Sequence, residues 1–189
     1  MRIVERLAPF VGDWQGVNRL RLMPTDEYRE SPATATVSVT AGEFVTVAYT
    51  WVEDGKPQNG LMLLGGVPAP ADGAAGSADA GAGPVEGVAG ETTGGPGEAA
   101  GGPGEATVVW VDSWHTGPTW MTLSGPVGDD GVVRLTGSYP APSGPDWGWQ
   151  IHIDPGHGDG GVITMHNMVP GKPAYQVVEI ACDRPGAGT

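Results

Sequence analysis

Histidine and carboxylate side chains alternate in one short stretch near the end of the chain. His152, Asp154, His157 and Asp159 lie within eight consecutive positions, and imidazole and carboxylate groups are ligands of zinc and other divalent ions. The same stretch contains Pro155 and several glycines, which are typical of a flexible hairpin loop that does not hold metal ligands in place. We therefore expect a loop here and no metal site.

His166 lies in a predicted strand and is a stronger candidate for a ligand contact. Its surroundings depend on how this strand pairs with the preceding one, because a shift of one residue moves every side chain to the other face of a sheet. If Trp149 pairs with His166, the imidazole shares a face with Trp147 and Trp149, in an aromatic pocket. If the register shifts by one, the imidazole shares a face with His152 instead. The sequence leaves both registers open.

Asp112, Ser113 and His115 are a second group whose residue types are used in catalysis. On a strand spanning 107–115, Ser113 and His115 share one face and Asp112 lies on the other, so the three do not form a Ser–His–Asp relay within that strand. Asp112 with a histidine of a neighbouring strand, or Tyr49 with Glu179, remains a candidate acid–base pair. The structural alternative is that Asp112 caps a turn at the barrel rim.

The chain contains seven tryptophans, and six of them lie in predicted strands beyond the first: Trp51, Trp110, Trp114, Trp120, Trp147 and Trp149. Large aromatic side chains either fill the core of a barrel or line an apolar cavity inside it. Methionine suits both roles, so the sequence does not separate them. For a cavity, the residues that we predict to contact a ligand are Tyr49, Trp51, Trp110, Trp149, Met165 and His166.

Segments rich in Val, Thr, Trp and Tyr, separated by Gly, Pro and Asp, predict β-strands along most of the chain. They span 14–23, 33–40, 43–53, 58–64, 107–115, 119–124, 132–139, 147–154, 162–169 and 174–183. Hairpin turns are predicted at 41–42, 54–55, 130–131 and 171–172, and 2–10 has a helical pattern. Because sequential strands must hide their edges, we predict an all-β fold, an antiparallel up-and-down barrel of about eight to ten strands with a short N-terminal helix.

The composition changes between residues 66 and 106, where there is no aromatic residue and no Lys or Arg. The hexapeptide GGPGEA occurs twice in this stretch, starting at Gly94 and at Gly101. Such a segment does not bury enough apolar surface to offset its chain entropy. We therefore predict one domain over residues 1–189, interrupted by a disordered loop at 66–106.

Charge and cysteine content exclude several classes of function. A net charge of −13 repels phosphate backbones and anionic membrane surfaces, so we expect neither a nucleic acid nor a membrane as partner. The single cysteine, Cys182, forms no internal disulfide and fits a reducing compartment. Glu5 and Arg6 interrupt the apolar N-terminal stretch, which therefore does not match a signal peptide. We expect a cytoplasmic protein that is a monomer or a homodimer.

Gly12, Trp14 and Gly16 form a Gly-x-Trp-x-Gly pattern that resembles the opening of calycin-type barrels, which include lipocalins and fatty-acid-binding-like proteins. Further segments are similar to a bacterial family of uncharacterised proteins with a lipocalin-like barrel: DGKP at 54–57 with Gly60, WVDS at 110–113, LSG at 123–125, LTGSYP at 135–140, and VEI at 178–180 with Arg184. The resemblance implies a barrel in which Trp14 plugs one end and Arg184 packs near that plug. It implies no catalytic residues, because that family has no agreed activity.

The same opening is similar to that of the nitrobindins, barrel proteins that hold haem through one histidine near their C-terminal strands. This resemblance implies haem bound through His166 as an alternative. The nitrobindin pattern continues with further glycines, whereas Gly16 is followed here by Val17, Asn18 and Arg19. We therefore expect no cofactor.

Together, these features predict a protein that binds a small, mostly apolar molecule inside a barrel. The alternative is an enzyme, an isomerase or a hydrolase, that acts on a small metabolite in the same cavity. A second alternative is a structural or interaction module whose barrel is filled with side chains.

Overall fold

The structure is a computed structural model that describes residues 2–67, 104–141, 143–156 and 160–186. It begins with a one-turn helix, α1 (Ile3–Arg6), and a 3₁₀ turn (Ala8–Phe10). The strands are β1 (Gly12–Leu20), β2 (Arg29–Thr40), β3 (Phe44–Glu53), β4 (Lys56–Val67), β5 (Glu105–Asp112), β6 (Met121–Pro126), β7 (Val133–Tyr139), β8 (Trp147–Asp154), β9 (Gly160–Met168) and β10 (Tyr175–Asp183). Every predicted strand is present, with boundaries that differ by no more than four residues.

The strands form one closed antiparallel sheet, in which each strand pairs with its neighbours along the chain. β1 also pairs with β10, where Gly16 lies opposite Cys182. Closure removes the open strand edges that an unclosed sheet of this kind would expose. The all-β, antiparallel up-and-down barrel with one short helix is therefore confirmed.

The turn between β3 and β4 shows how local sequence sets the strand register. Asp54 and Gly55 have positive φ angles of 49° and 73°, and Glu53 lies opposite Lys56. This is the two-residue hairpin that an Asp-Gly pair favours, because both central residues of a type I′ turn need left-handed backbone. The predicted hairpin at 54–55 therefore fixes how β3 and β4 pair.

The N-terminal segment closes one end of the barrel. Trp14 is buried and its Nε1–H donates a 2.7 Å hydrogen bond to the carbonyl oxygen of Phe10. The guanidinium of Arg184 lies 4.0 Å from the centre of the Trp14 ring and donates hydrogen bonds to the carbonyl oxygens of Pro9 and Val11. The predicted plug and its contact with Arg184 are both present. No helix in the described part of the chain is long and apolar enough to cross a membrane.

Alternation along the strands decides which side chains face the interior. In β5 the buried residues are Ala106, Val108, Trp110 and Asp112. In β8 they are Trp149, Ile151 and Ile153. The interior is therefore apolar along most of its length, with a carboxylate where β5 ends.

The strands beside the predicted insert extend further into it than the sequence indicated. β4 continues to Val67 and β5 begins at Glu105, with Gly66 opposite Ala106. The predicted loop boundaries of 66 and 106 therefore belong to paired strands. Residues 68–103, which make up the rest of the predicted loop, lie outside the described residues.

Candidate functional site

A cavity opens at the end of the barrel opposite α1, where β5 and β7 end and β6 and β8 begin. Its volume is about 500 Å³, which lies in the range of small-molecule sites. Ring-bearing side chains form much of its wall: Trp110, Trp114, His115, Trp120, Tyr139 and Trp149. No Lys or Arg of the described residues lines it. The wall is therefore rich in aromatic rings, with hydroxyl-bearing residues between them, and its described residues offer no fixed positive charge.

His115, in the wall of this cavity, is hydrogen-bonded to Asp112. β5 ends at Asp112 and the chain turns over residues 113–118, which brings Nδ1 of His115 to 2.6 Å from Oδ2 of Asp112. The other carboxylate oxygen accepts the backbone N–H groups of Trp114, at 2.9 Å, and of His115. The prediction that Asp112 and His115 lie on opposite faces of one strand is wrong, because the strand ends at Asp112 and the turn reverses the chain.

The other predicted acid–base combinations do not form. The hydroxyl of Ser113 donates to Oε1 of Gln58 at 2.6 Å and takes no part in a relay with His115. Glu179 accepts a 3.0 Å hydrogen bond from Arg19 on the outer surface, whereas Tyr49 is buried in the interior. The candidate pair of Tyr49 and Glu179 therefore does not form, because the two side chains lie on opposite faces of the barrel sheet.

Tyr49 connects the Asp112–His115 pair to the core. Its hydroxyl accepts the Nε1–H of Trp110 at 2.7 Å and donates to Oδ2 of Asp112 at 3.5 Å. Tyr49, Gly60 and Asp112 lie opposite one another on β3, β4 and β5. A Cβ atom at Gly60 would lie 2.3 Å from Cζ of Tyr49, so the glycine provides the room in which the phenol ring reaches Asp112.

The surroundings of this network fix its protonation. Burial disfavours the carboxylate of Asp112, but the hydrogen bonds that it accepts from the side chain and backbone of His115 and from the backbone N–H of Trp114 outweigh burial and hold the pKa of Asp112 below its usual value. Burial, and then the charge of Asp112, raise the pKa of Tyr49 well above its usual value. Asp112 is therefore an anion and Tyr49 a neutral phenol at neutral pH. A carboxylate that accepts the Nδ1–H of a neutral histidine leaves the lone pair of that ring on Nε2.

Four indole rings surround the imidazole of His115. The centres of the Trp114, Trp149, Trp110 and Trp51 rings lie 4.5, 5.4, 5.7 and 6.3 Å from it. The rings of Trp110 and Trp149 are nearly parallel, at 9° and 5.7 Å. Among the described residues, neither Nε2 of His115 nor Nε1 of Trp149 has a hydrogen-bond partner, although both atoms are buried.

Tyr139 is held in the cavity wall by hydrogen bonds that cross the barrel. Its hydroxyl donates to Oδ1 of Asn167 at 2.9 Å, and Nδ2 of Asn167 donates to the hydroxyl of Tyr175 at 3.0 Å. Tyr175 in turn donates to the carbonyl oxygen of Leu22 at 3.2 Å. The position of the Tyr139 ring is therefore set by partners on several strands and does not depend on a ligand.

The predicted ligand contacts divide into three groups. Trp110 and Trp149 line the cavity. Tyr49, Trp51 and Met165 also face inward, but they lie deeper and pack in the core. The sixth predicted residue lies on the other side of the sheet.

That residue, His166, is a correction to the sequence prediction. Gln150 lies opposite His166 and Trp149 opposite Asn167, which is the second of the two registers left open. The imidazole of His166 therefore faces outward beside His152, with ring centres 5.0 Å apart. Burial lowers the pKa of both histidines. A haem held through His166 inside the barrel does not fit this register.

The predicted absence of a metal site stays a prediction for the loop that suggested it. His157 and Asp159 lie outside the described residues. Within the residues that the structure describes, no three His, Cys, Asp or Glu side chains come together in a way that could hold a metal ion.

Sequence reasoning did not place Trp114, His115 and Tyr139 in a ligand site. For His115 a signal was present, because Gly117 and Pro118 follow it closely and such residues mark turns. An aspartate just before a turn accepts hydrogen bonds from the backbone N–H groups of the residues that follow it. The side chain of the third residue after the aspartate then lies close enough to contact the carboxylate. This signal predicts an Asp112–His115 contact that an extended strand does not allow.

The fold defines a class of protein: a closed antiparallel β-barrel of ten described strands, consistent with lipocalin-like and fatty-acid-binding-protein-like barrels. No protein-family model matches this chain, and no curated protein matches it in sequence. Among solved structures, the crystal structure of Rv2717c from M. tuberculosis is similar, with a TM-score of 0.51 and 17% sequence identity over 97% of this chain and 98% of that chain. At this level of identity, the similarity shows a shared fold alone.

Proposed function

We propose that the protein binds a small, mostly apolar molecule in the aromatic cavity at the open end of its barrel. The observation that carries this proposal is a cavity of about 500 Å³ in whose wall four indole rings and one phenol ring come together. Burial of apolar ligand surface contributes about 25 cal/mol per Å², and aromatic rings stack on a planar ligand at little entropic cost. Among the described residues, the space between Tyr49, Trp51 and Met165 below this cavity is filled by side chains, so the proposed ligand lies at the mouth of the barrel.

Trp120 offers a test in which binding is separated from folding. Its side chain lines the cavity but is 72% exposed, so replacing it removes ligand contacts with little loss of core packing. We expect the neutral dye N-phenyl-1-naphthylamine to fluoresce on binding to the wild-type protein, and Trp120→Ala to weaken its affinity about fivefold or more. The measurement is a fluorescence titration, with excitation outside the tryptophan band.

Phe44→Ala is the matched control, because Phe44 is also an exposed aromatic residue but does not line the cavity. This variant should keep the wild-type affinity for the dye. An equal loss of dye affinity in Trp120→Ala and Phe44→Ala, or no saturable binding of the dye by the wild-type protein, would contradict the proposal. Native mass spectrometry of freshly purified protein adds an independent test, since a copurified ligand appears as a stoichiometric extra mass. An absorbance scan of the same sample would reveal haem by its absorbance band.

A second candidate function is an enzyme, an isomerase or a hydrolase, and the Asp112–His115 pair favours it. A histidine whose Nδ1–H is held by a carboxylate can take up a proton at Nε2, and the carboxylate stabilises the imidazolium that results. Hydrolysis of p-nitrophenyl acetate is a simple probe of this chemistry. An enzyme of this kind should lose about tenfold or more of its rate in His115→Gln, whereas equal rates in both proteins count against general-base catalysis.

A further inference from the structure

Two buried nitrogens of residues in the wall of the aromatic cavity have no hydrogen-bond partner in the part of the chain that the structure describes. Nε1 of Trp110 donates to Tyr49 and Nε1 of Trp14 donates to a backbone carbonyl, but Nε1 of Trp149 and Nε2 of His115 have no partner among the described residues. Buried polar groups are nearly always hydrogen-bonded, and leaving one unpaired is costly. The two nitrogens therefore point to a partner that a ligand supplies.

The two nitrogens have complementary hydrogen-bonding roles. The indole Nε1–H of Trp149 only donates. When the ring of His115 is neutral, its Nε2 accepts, because the carboxylate of Asp112 lies at Nδ1 and holds the ring proton there. The two ring centres are 5.4 Å apart. One ligand can therefore contact both side chains, and a group that hydrogen-bonds to both nitrogens must accept from Trp149 and donate to His115.

The charges around the cavity limit which chemical group of a ligand can make these two hydrogen bonds. No Lys or Arg of the described chain lines the cavity, the carboxylate of Asp112 is next to His115, and the protein carries a net charge of −13. A carboxylate or phosphate group would therefore meet repulsion without a compensating cation. A neutral hydroxyl group both donates and accepts without this cost.

We infer that the ligand is a neutral aromatic compound with a hydroxyl group, which accepts a hydrogen bond from Nε1 of Trp149 and donates one to Nε2 of His115. The ring of the ligand then lies among the indoles of the cavity. This inference rests on the proposed function and names the class of compound that the same cavity takes.

Three naphthalenes of nearly equal size test the inference by isothermal titration calorimetry. 2-Naphthol offers a donor and an acceptor, 2-methoxynaphthalene only an acceptor, and 2-methylnaphthalene neither. We expect affinity to fall in that order, by about fivefold to tenfold at each step, because each step leaves one more buried nitrogen unpaired. Equal affinities for all three overturn the inference and leave the proposed function standing, whereas no binding of any of them overturns both.

Two substitutions show which nitrogen causes each of the two decreases in affinity along this series. In Asp112→Asn, the amide oxygen still accepts hydrogen bonds from the backbone N–H groups of Trp114 and His115. The amide NH₂ group therefore faces Nδ1 of His115. Because this group donates, Nδ1 must accept, and the proton of the neutral histidine moves to Nε2. The histidine then no longer accepts, and the preference for 2-naphthol over 2-methoxynaphthalene should fall below about twofold. In Trp149→Phe the donor is lost, and the preference for 2-methoxynaphthalene over 2-methylnaphthalene should fall in the same way.

Trp149→Phe also makes the ring smaller, and Trp114→Phe is the control for this loss of ring size. Trp114 lines the same cavity, but its Nε1 is not one of the two unpaired atoms. This variant should change the affinities for the three naphthalenes by a similar factor and keep their order. If Asp112→Asn or Trp149→Phe also changes all three affinities alike, in a protein whose circular dichroism matches the wild type, the bridging hydroxyl is refuted.

Discussion

Nδ1 of His115 lies 2.6 Å from Oδ2 of Asp112 although the two residues are only three positions apart. The carboxylate makes this contact with one oxygen while its other oxygen accepts backbone N–H groups of the turn. Asp112 therefore caps the turn and orients the imidazole at the same time. Capping of the turn and pairing with a histidine, the two roles considered for Asp112, are compatible because each role uses a different oxygen of the carboxylate.

The first prediction concerns how stability depends on the charge of Asp112. Because its pKa in the folded protein is below the usual value of 3.8, the ionised carboxylate stabilises the fold above about pH 4, and this contribution is lost as the pH falls through the folded pKa. We expect Asp112→Asn to lower the free energy of unfolding by about 1–2 kcal/mol at pH 7. Urea denaturation from pH 7 to pH 2 should show this difference shrinking below pH 4.

Asp130→Asn provides the comparison for this titration. Arg134 and the backbone N–H of Val132 lower the pKa of Asp130 to about 2, but this carboxylate is exposed and its ion pair is screened by solvent. We expect a much smaller change in stability than for Asp112. A loss in Asp112→Asn that is the same at pH 2 as at pH 7 would show that the charge of Asp112 does not stabilise the fold.

The second prediction concerns the space that Gly60 leaves for Tyr49. An added Cβ would meet the phenol ring at 2.3 Å and push it away from Asp112 and Trp110. We expect Gly60→Ala to lower the free energy of unfolding by about 1–3 kcal/mol, as measured by urea denaturation. Gly66→Ala, on the same strand, is the control, since its Cβ would lie 3.6 Å from Ile3 in ordinary contact. Similar losses in both variants would argue against a specific role for Gly60.

The strands were predictable because the signals that define them are local. In β8, Trp149, Ile151 and Ile153 alternate with polar residues, and the observed strand has the predicted bounds. The hairpin at Asp54 and Gly55 was predictable for the same reason, because an Asp-Gly pair adopts the left-handed backbone that the turn needs.

The site was less predictable because it depends on how elements end and pair. The alternation pattern continues past Asp112, so it did not reveal that β5 stops there and that His115 lies in a turn. The register of β8 and β9 is a non-local property, and a one-residue difference decides on which face His166 lies. The hydrogen bonds of Tyr49 also depend on three strands and a glycine that are distant in sequence.

The third prediction tests the outward position of His166. Because its ring lies beside His152 on the outer face, His166→Ala should leave the affinity for N-phenyl-1-naphthylamine within about twofold of the wild-type value. His115→Phe, by contrast, changes the wall of the cavity and should alter this affinity more strongly. A fluorescence titration of the two variants decides the matter, and the opposite result would mean that His166 lines the cavity after all.

The fourth prediction concerns the closed end of the barrel. Arg184 stacks on Trp14 at 4.0 Å and binds the carbonyl oxygens of Pro9 and Val11 at 2.8 and 2.9 Å. Its loss removes a cation–π contact and leaves two carbonyl groups without this donor. We therefore expect Arg184→Ala to lower the free energy of unfolding by about 1–3 kcal/mol in urea denaturation. Arg19→Gln removes a half-exposed arginine that forms ion pairs with Glu30 and Glu179 at the outer surface, so it should lower the free energy of unfolding much less. If the two variants are equally stable, Arg184 does not hold the N-terminal segment on the barrel.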